Sequence, residues 1–474
     1  MKKLNVCLIN DSFPPLIDGV ANAVVNYANI IQNNYGNVTV ATPEYPDVVD
    51  DYCFDVLRYP SINTEKLVGY RTGNPFNIEY LSQFNNRNID IIHSHCPITS
   101  TYLARILRDS IKKPIILTYH TKFDIDIERA IDSKLLQDAS IAALVSNISA
   151  VDEVWTVSKG AGENLKSLGY KGDYIVMPNG VDFEKGRASD KEIAQIIEEY
   201  SLPTDVPLYL FVGRLMWYKG IKIIIDACNL KKQSGQDFRM IFVGSGGDET
   251  EIREYIGELQ LSDKCIFTGA IRDRQKLKAV FSTCDLFLFP STFDTNGIVV
   301  REAAAAGLGS VLIKDSCAAE DTLDGTNVIQ IEENYKSLAE VLIRSGNDTD
   351  YFHRIGANAQ DQLYMSWQQS VENAYQRYLY VDEKFQYNSR TIKPLDLSDS
   401  FFAMFANLSQ GLTKAQQART AVEDKIDEGK IKILEQMEEK IDQQIDELEQ
   451  YRNKIIEKKL SIKRKANDEI DSYL

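Results

Sequence analysis

The chain is short of several things, and each shortage excludes something. No apolar run in its 474 residues approaches the roughly 18 needed for a membrane-spanning helix. Its seven cysteines (Cys7, Cys53, Cys96, Cys228, Cys265, Cys284, Cys317) are scattered, odd in number and never spaced C-x-x-C. That argues against a disulfide framework and suits buried thiols in a reducing cytoplasm. Positive charge is also scarce: 53 Lys and Arg stand against 69 Asp and Glu, a net charge of −16. Phosphate neutralisation on a large scale needs a basic face, so no nucleic-acid partner is expected. Strong adhesion to an anionic membrane is likewise disfavoured. Only four histidines occur, at 93, 95, 120 and 353. His93 and His95 form an H-x-H too thin for a metal site without further ligands, so no metal is expected. They are read as structural or cleft-lining, and His353 as a surface residue.

What is present is a regular alternation of short apolar runs with longer helical patterns, the mark of parallel α/β architecture. In the first half the runs are 5–11, 37–43, 89–95, 113–120, 151–158 and 174–182; in the second, 208–214, 239–246, 264–269, 284–291 and 308–315. Near-continuous apolar strands are expected where helices cover both faces of a sheet. Residues 1–10 resemble a signal-peptide opening, but Asp11 interrupts them and no small-residue cleavage site follows; a first strand is expected instead. A charged helical stretch and Leu202-Pro203 mark a boundary near 183–205. The expectation is an α/β chain of two doubly wound Rossmann-like domains facing a cleft, over 1–185 and 186–385.

The end of the chain differs in kind. Residues 386–418 read as a linker carrying one apolar patch, Phe401 to Phe405, a candidate membrane or partner contact. Beyond it, 419–474 lacks proline, and Leu434, Ile441, Leu448, Ile455 and Ile462 recur every seven residues. This predicts a long coiled-coil-like helix serving a homo-oligomer or a partner, with an intramolecular hairpin left open.

Polar residues cluster just after the strands, where open α/β sheets bind ligands. Arg214 and Lys219 follow 208–212; a planar guanidinium and an ammonium can grip a diphosphate together. After 284–291 come Asp294 and then a helix opening near Gly297 that carries Glu302. A helix N-terminus favours phosphate, and carboxylates accept from hydroxyls. A nucleotide sugar would satisfy both, while an N-cap Asp and a surface Glu on an ordinary helix is the alternative. His120 ends the 113–120 run, with Lys122, Asp124 and Asp126 following; these last either meet an acceptor or belong to a solvated loop.

Together these segments resemble the GT-B retaining glycosyltransferases of family 4 (glycosyl transferases group 1), over about residues 1–385. The resemblance lies in P-P-x-x-D-G-V-A (14–21), T-Y-H-T (118–121), P-N-G-V-D (178–182), V-G-R-L…K-G (212–220), V-G-S-G (243–246) and E-A-A-A-A-G (302–307). Residues 364–380 resemble the family's closing helices, which cross back to the first domain. The resemblance implies that Arg214 and Lys219 hold the donor diphosphate, Glu302 the ribose and Asp294 a donor-sugar hydroxyl. Amides of Asn296, Gly297 and Ile298 would lie near the distal phosphate or sugar, with Gly19 approaching from the first domain. His120 would line the reacting centre through hydrogen bonding. No cofactor is implied beyond the nucleotide diphosphate sugar itself, a UDP-sugar being favoured, and the acceptor would be a glycan or lipid-linked hydroxyl. Asp294 stands where the family usually has Glu, and Asp18-Gly19 where it has paired glycines; both departures bear on donor choice more than on fold. A non-catalytic scaffold and a sugar-nucleotide epimerase or phosphorylase on the same fold remain alternatives.

Overall fold

The computed structural model describes residues 2–386 other than 17, 65–70, 76–79, 81, 82, 85, 86, 132, 293, 295 and 296. The expected helical arm over 419–474 and all but the first residue of the 386–418 linker lie outside the described residues.

Two parallel sheets organise the rest. The first half supplies β1 (Asn5–Ile9), β2 (Asn37–Pro43), β3 (Asp55–Tyr59), the short antiparallel pair β4 (Ser61–Ile62) and β5 (Thr72–Gly73), then β6 (Ile91–Ser94), β7 (Ile115–Tyr119), β8 (Glu153–Thr156) and β9 (Ile175–Val176). Seven of these form one sheet in the order β3-β2-β1-β6-β7-β8-β9. The second half supplies β10 (Leu208–Val212), β11 (Arg239–Val243), β12 (Cys265–Gly269), β13 (Leu286–Phe289), β14 (Gly309–Ile313) and β15 (Ile329–Ile331), in the order β12-β11-β10-β13-β14-β15. Both orders reverse direction at one place, between β1 and β6 and between β10 and β13. Such switch points open a crevice at the strands' carboxyl ends.

Strand periodicity explains why the runs look continuous in sequence. Leu208, Leu210 and Val212 enter one core cluster and Tyr209 and Phe211 another. Successive side chains point to opposite faces, so helices on both sides require every position to be apolar. The first sheet repeats this, with Val6 and Leu8 on one face and Cys7 and Ile9 on the other.

Three details depart from expectation. The edge strands β3 and β15 were not anticipated. Each has one neighbour and polar members (Asp55 and Arg58; Gln330), so the apolar signal is weak there. The 174–182 run yields only Ile175–Val176 as strand, because the chain turns into the segment that leads to the second half. Cys53 is exposed, although Cys7, Cys96, Cys228 and Cys284 are buried; all seven thiols are free.

The final described helix, Trp367–Lys384, packs on the first sheet rather than the second. It starts in a capping box between Ser366 and Gln369. Its face of Trp367, Val371, Ala374, Tyr375, Tyr378 and Val381 joins the cluster around Val6, Leu8 and Trp155, at the three-and-four spacing of one helical stripe. The Tyr375 hydroxyl accepts from Leu4 N at 2.8 Å, and Arg377 grips Glu153 through two nitrogens, the shorter contact 2.6 Å. No helix among the described residues is long and apolar enough to cross a membrane.

Candidate functional site

Arg214, Lys219 and Asp294 gather at the β10/β13 switch point of the second half. After β10 the chain makes a single 3-10 turn, Trp217–Lys219, before the helix Ile221–Gln233. Gly220 between them has φ 75°, and a Cβ there would lie 1.9 Å from Pro290 O. Only glycine permits this approach, and it presses the turn against the end of β13. Lys219 is thereby buried with its Nζ 2.6 Å from Asp294 Oδ1, while Ser291 Oγ donates to Asp294 Oδ2 at 2.6 Å. Arg214 is exposed; its guanidinium carbon lies 5.9 Å and the Lys219 ammonium 5.6 Å from the centroid of the same Tyr218 ring. The two cations therefore flank one aromatic, with the Asp294 carboxylate in contact with one of them.

The helix after β13, Ile298–Ala305, opens at Gly297 with φ 52° and, among the described residues, no side-chain cap. Asp294 is thus not its N-cap, and Glu302 is not a surface residue but buried at 7% exposure. Both parts of the ordinary-helix alternative fail. Ile298 is partly exposed at the helix start; Asn296 lies outside the described residues. Burial raises the Glu302 carboxyl above its usual range, opposed by Arg274, whose Nη2 donates to Oε1 at 2.5 Å. Arg274 was not singled out by sequence, although it follows β12 as Arg214 follows β10.

In the first half His120 comes directly after β7 and is buried. Its Nε2 lies 3.0 Å from His95 Nδ1, and His95 packs at 4.0 Å between centroids on His93. His93 hydrogen-bonds Thr118 at 2.7 Å and Tyr378 at 2.5 Å. Burial pushes all three imidazoles down, His120 to about 3, so His120 is neutral and suited to hydrogen bonding. His353 is half-exposed and pairs with Asp285 at 3.0 Å.

Gly19 begins the helix Gly19–Asn34, which Asp18 caps by accepting from Val20 N and Ala21 N. A Cβ at Gly19 would meet nothing within 4 Å; no described neighbour demands glycine there. Lys122 reaches the second half, donating to Thr292 O at 3.4 Å, and Asp124 accepts from Asn164 at 3.2 Å. Of the two acceptor-side candidates, one bridges to the loop beside Asp294 and the other is tied within its own half. Among the described residues no group of three or more His, Cys, Asp or Glu is arranged to hold a metal ion.

Comparison with known proteins identifies the family. Residues 17–185 match the family described as Glycosyltransferase Family 4, and residues 192–362 the one described as Glycosyl transferases group 1. The chain is 22% identical over 312 residues to alpha-monoglucosyldiacylglycerol synthase of Streptococcus pneumoniae, covering 64% of this chain and 70% of that protein. It is 22% identical over 369 residues to the enzyme of the same name from Acholeplasma laidlawii, covering 75% and 92%. Among solved structures, Anabaena HepE in complex with UDP superposes with a TM-score of 0.64 at 16% identity, covering 80% of this chain and all of that one. Between them the two family matches take in most of both sheets, and the chain belongs to the group 1, family 4 glycosyltransferases of the GT-B fold.

Proposed function

We propose that the chain is a retaining, metal-independent hexosyltransferase working at the cytoplasmic side. It moves a sugar from a nucleoside diphosphate donor, UDP favoured, to a hydroxyl of a glycan or lipid-linked acceptor. The observation that carries this reading is the Lys219–Asp294 contact at the β10/β13 switch point, with Glu302 buried eight residues further along. In this reading Arg214 and Lys219 bind the diphosphate and stabilise the charge that grows on it as the glycosidic bond breaks. The diphosphate shares Lys219 with Asp294, which turns its carboxylate to a sugar hydroxyl. The uncapped start of helix 298–305 offers amides to the distal phosphate. Neutral His120 donates or accepts a hydrogen bond at the reacting face and takes no net charge. Same-face attack assisted by the leaving phosphate then needs no enzymic nucleophile. The name of the two synthase relatives supports a glucosyl donor and a lipid acceptor, and the UDP in the HepE structure supports the base.

A thermal-shift screen of nucleotide sugars tests it. A UDP-sugar should raise the melting temperature of the wild type, and Glu302→Ala should lose that rise. An equal rise in the variant would overturn the ribose assignment.

A further inference from the structure

Glu302 is a poor place for a charge unless something holds it there, and Arg274 is the group so placed. Arg274 opens the helix Arg274–Thr283, behind an N-cap in which Asp273 accepts from Gln275 N and Lys276 N. Its guanidinium lies 4.4 Å from the centroid of the Phe183 ring. Phe183 is buried and meets Phe281 edge-on at 5.8 Å, so the platform is fixed. One nitrogen of the guanidinium donates to Glu302 Oε1 at 2.5 Å, and the same nitrogen is 3.8 Å from Asp182 Oδ2. The pair is asymmetric: the Glu302 side chain is 9% exposed and that of Arg274 42%. Among the described residues Glu302 Oε2 has no hydrogen-bond partner.

A vicinal diol presents two O–H donors, which a carboxylate accepts and a carboxylic acid accepts less well, since its own proton needs an acceptor. We propose that Arg274 is a positioning residue of the donor site: it takes Oε1 of Glu302, keeps the group ionised within the core and leaves Oε2 for the ribose hydroxyls of a nucleoside diphosphate. This rests on the donor-site reading above. The charged groups facing Glu302 are Arg274 from helix 274–283 and Asp182 from the segment after β9; on its own helix, Arg301 turns away to Leu363 O at 3.1 Å. Burial and Asp182 raise the carboxyl, and Arg274 lowers it. Removing Arg274 must therefore move the loss of donor binding to higher pH, and removing Asp182 must move it to lower pH.

The test is calorimetric titration of the full chain with UDP at a series of pH values, from the alkaline side down to the pH at which wild-type affinity falls, each variant being compared with wild type at the same pH. Arg274→Gln should weaken UDP binding about tenfold or more at the acid end and within about threefold at the alkaline end. Asp182→Asn, an exposed change that leaves the core alone, should bind UDP more tightly than wild type at the acid end. A loss in Arg274→Gln that is equal at every pH, or no loss, overturns the proposal. So does an unchanged acid limb in Asp182→Asn, which decides the matter if Arg274→Gln does not fold. Glu302→Gln separates the two readings: wild-type UDP affinity in that variant removes the donor-site assignment itself.

Discussion

The two sheets share a strand order around their switch points but finish the adjoining helices in opposite ways. In the first, the helix after β1 is closed by Asp18, whose Oδ1 accepts from two amides at 2.8 and 2.7 Å. The helix after β6, Thr99–Ile111, has no cap from its own N-cap residue Ile98; Asp11, from the segment after β1, reaches its first turn instead and accepts from Ser100 N at 2.9 Å and from the Thr99 hydroxyl. In the second, the helices after β10 and β13 begin at Gly220 and Gly297, with no side-chain cap among the described residues. A helix start that already holds a carboxylate has spent its amides and repels a second anion. One that begins at glycine keeps them. The same topology thus places carboxylates at both helix starts of the first half and glycines at both in the second, and the difference lies in Asp18, Asp11, Gly220 and Gly297.

Acid should separate the halves most. The first buries three histidines and the second none. Unfolded histidine titrates near about 6.5, and these three titrate lower when folded. The unfolded chain then binds more protons as pH falls below about 6.5, and each histidine removes up to about 1.4 kcal/mol of stability per pH unit. Urea unfolding followed through Trp155, 5.0 Å from His93, should lose midpoint on going from about pH 7 to about pH 5. The signal of Trp217 in the second half should move less.

A carboxylate at one of the glycine starts comes next. On the proposed donor site, Gly297→Asp would set a carboxylate beside the diphosphate, and about 4 kcal/mol of repulsion at close range should weaken UDP binding ~10²-fold or more. Gly297→Asn, which tolerates the left-handed backbone, should retain most of the affinity in the same titration. Lys219→Ala removes a charge-assisted contact worth about 1.5–3 kcal/mol, so UDP affinity should fall ~10- to 150-fold. The smallest effect should follow Asp18→Ala. Losing that cap costs about 1 kcal/mol of stability, seen as a lower melting temperature, with UDP affinity unchanged.

Much of this contrast was legible beforehand, but not evenly. Central strands such as 208–212 and 286–289 announced themselves because both faces are covered. The edge strands β3 and β15, half polar, did not. Strand-end placement singled out Arg214, Lys219, Asp294 and Glu302; the fold sets the first two beside one Tyr218 ring and joins Lys219 to Asp294, while Glu302 pairs with Arg274. What the sequence withheld was pairing: nothing in the spacing says that Lys219 meets Asp294, that Glu302 meets Arg274 from another helix, or that His93 meets Tyr378 285 residues away. Such contacts are set by how helices pack across a sheet. The role of Asp18 was hidden for a related reason, since a carboxylate before a helix reads equally as ligand contact or as cap.

The return of residues 367–384 to the first sheet has a consequence for anyone cutting or exchanging parts of this enzyme. The chain crosses between halves twice, and the crossings touch: Val181 N donates to Met365 O at 3.0 Å, and a Cβ on Gly180 would strike Trp367 N. A chimera joined near 185 that takes everything downstream from a relative would graft a foreign helix onto Trp155, Tyr27 and His93. A fragment ending at 185 would leave those aromatics bare to water. Modular recombination should instead treat 2–185 with 364–386 as one discontinuous cassette and 186–363 as its insert.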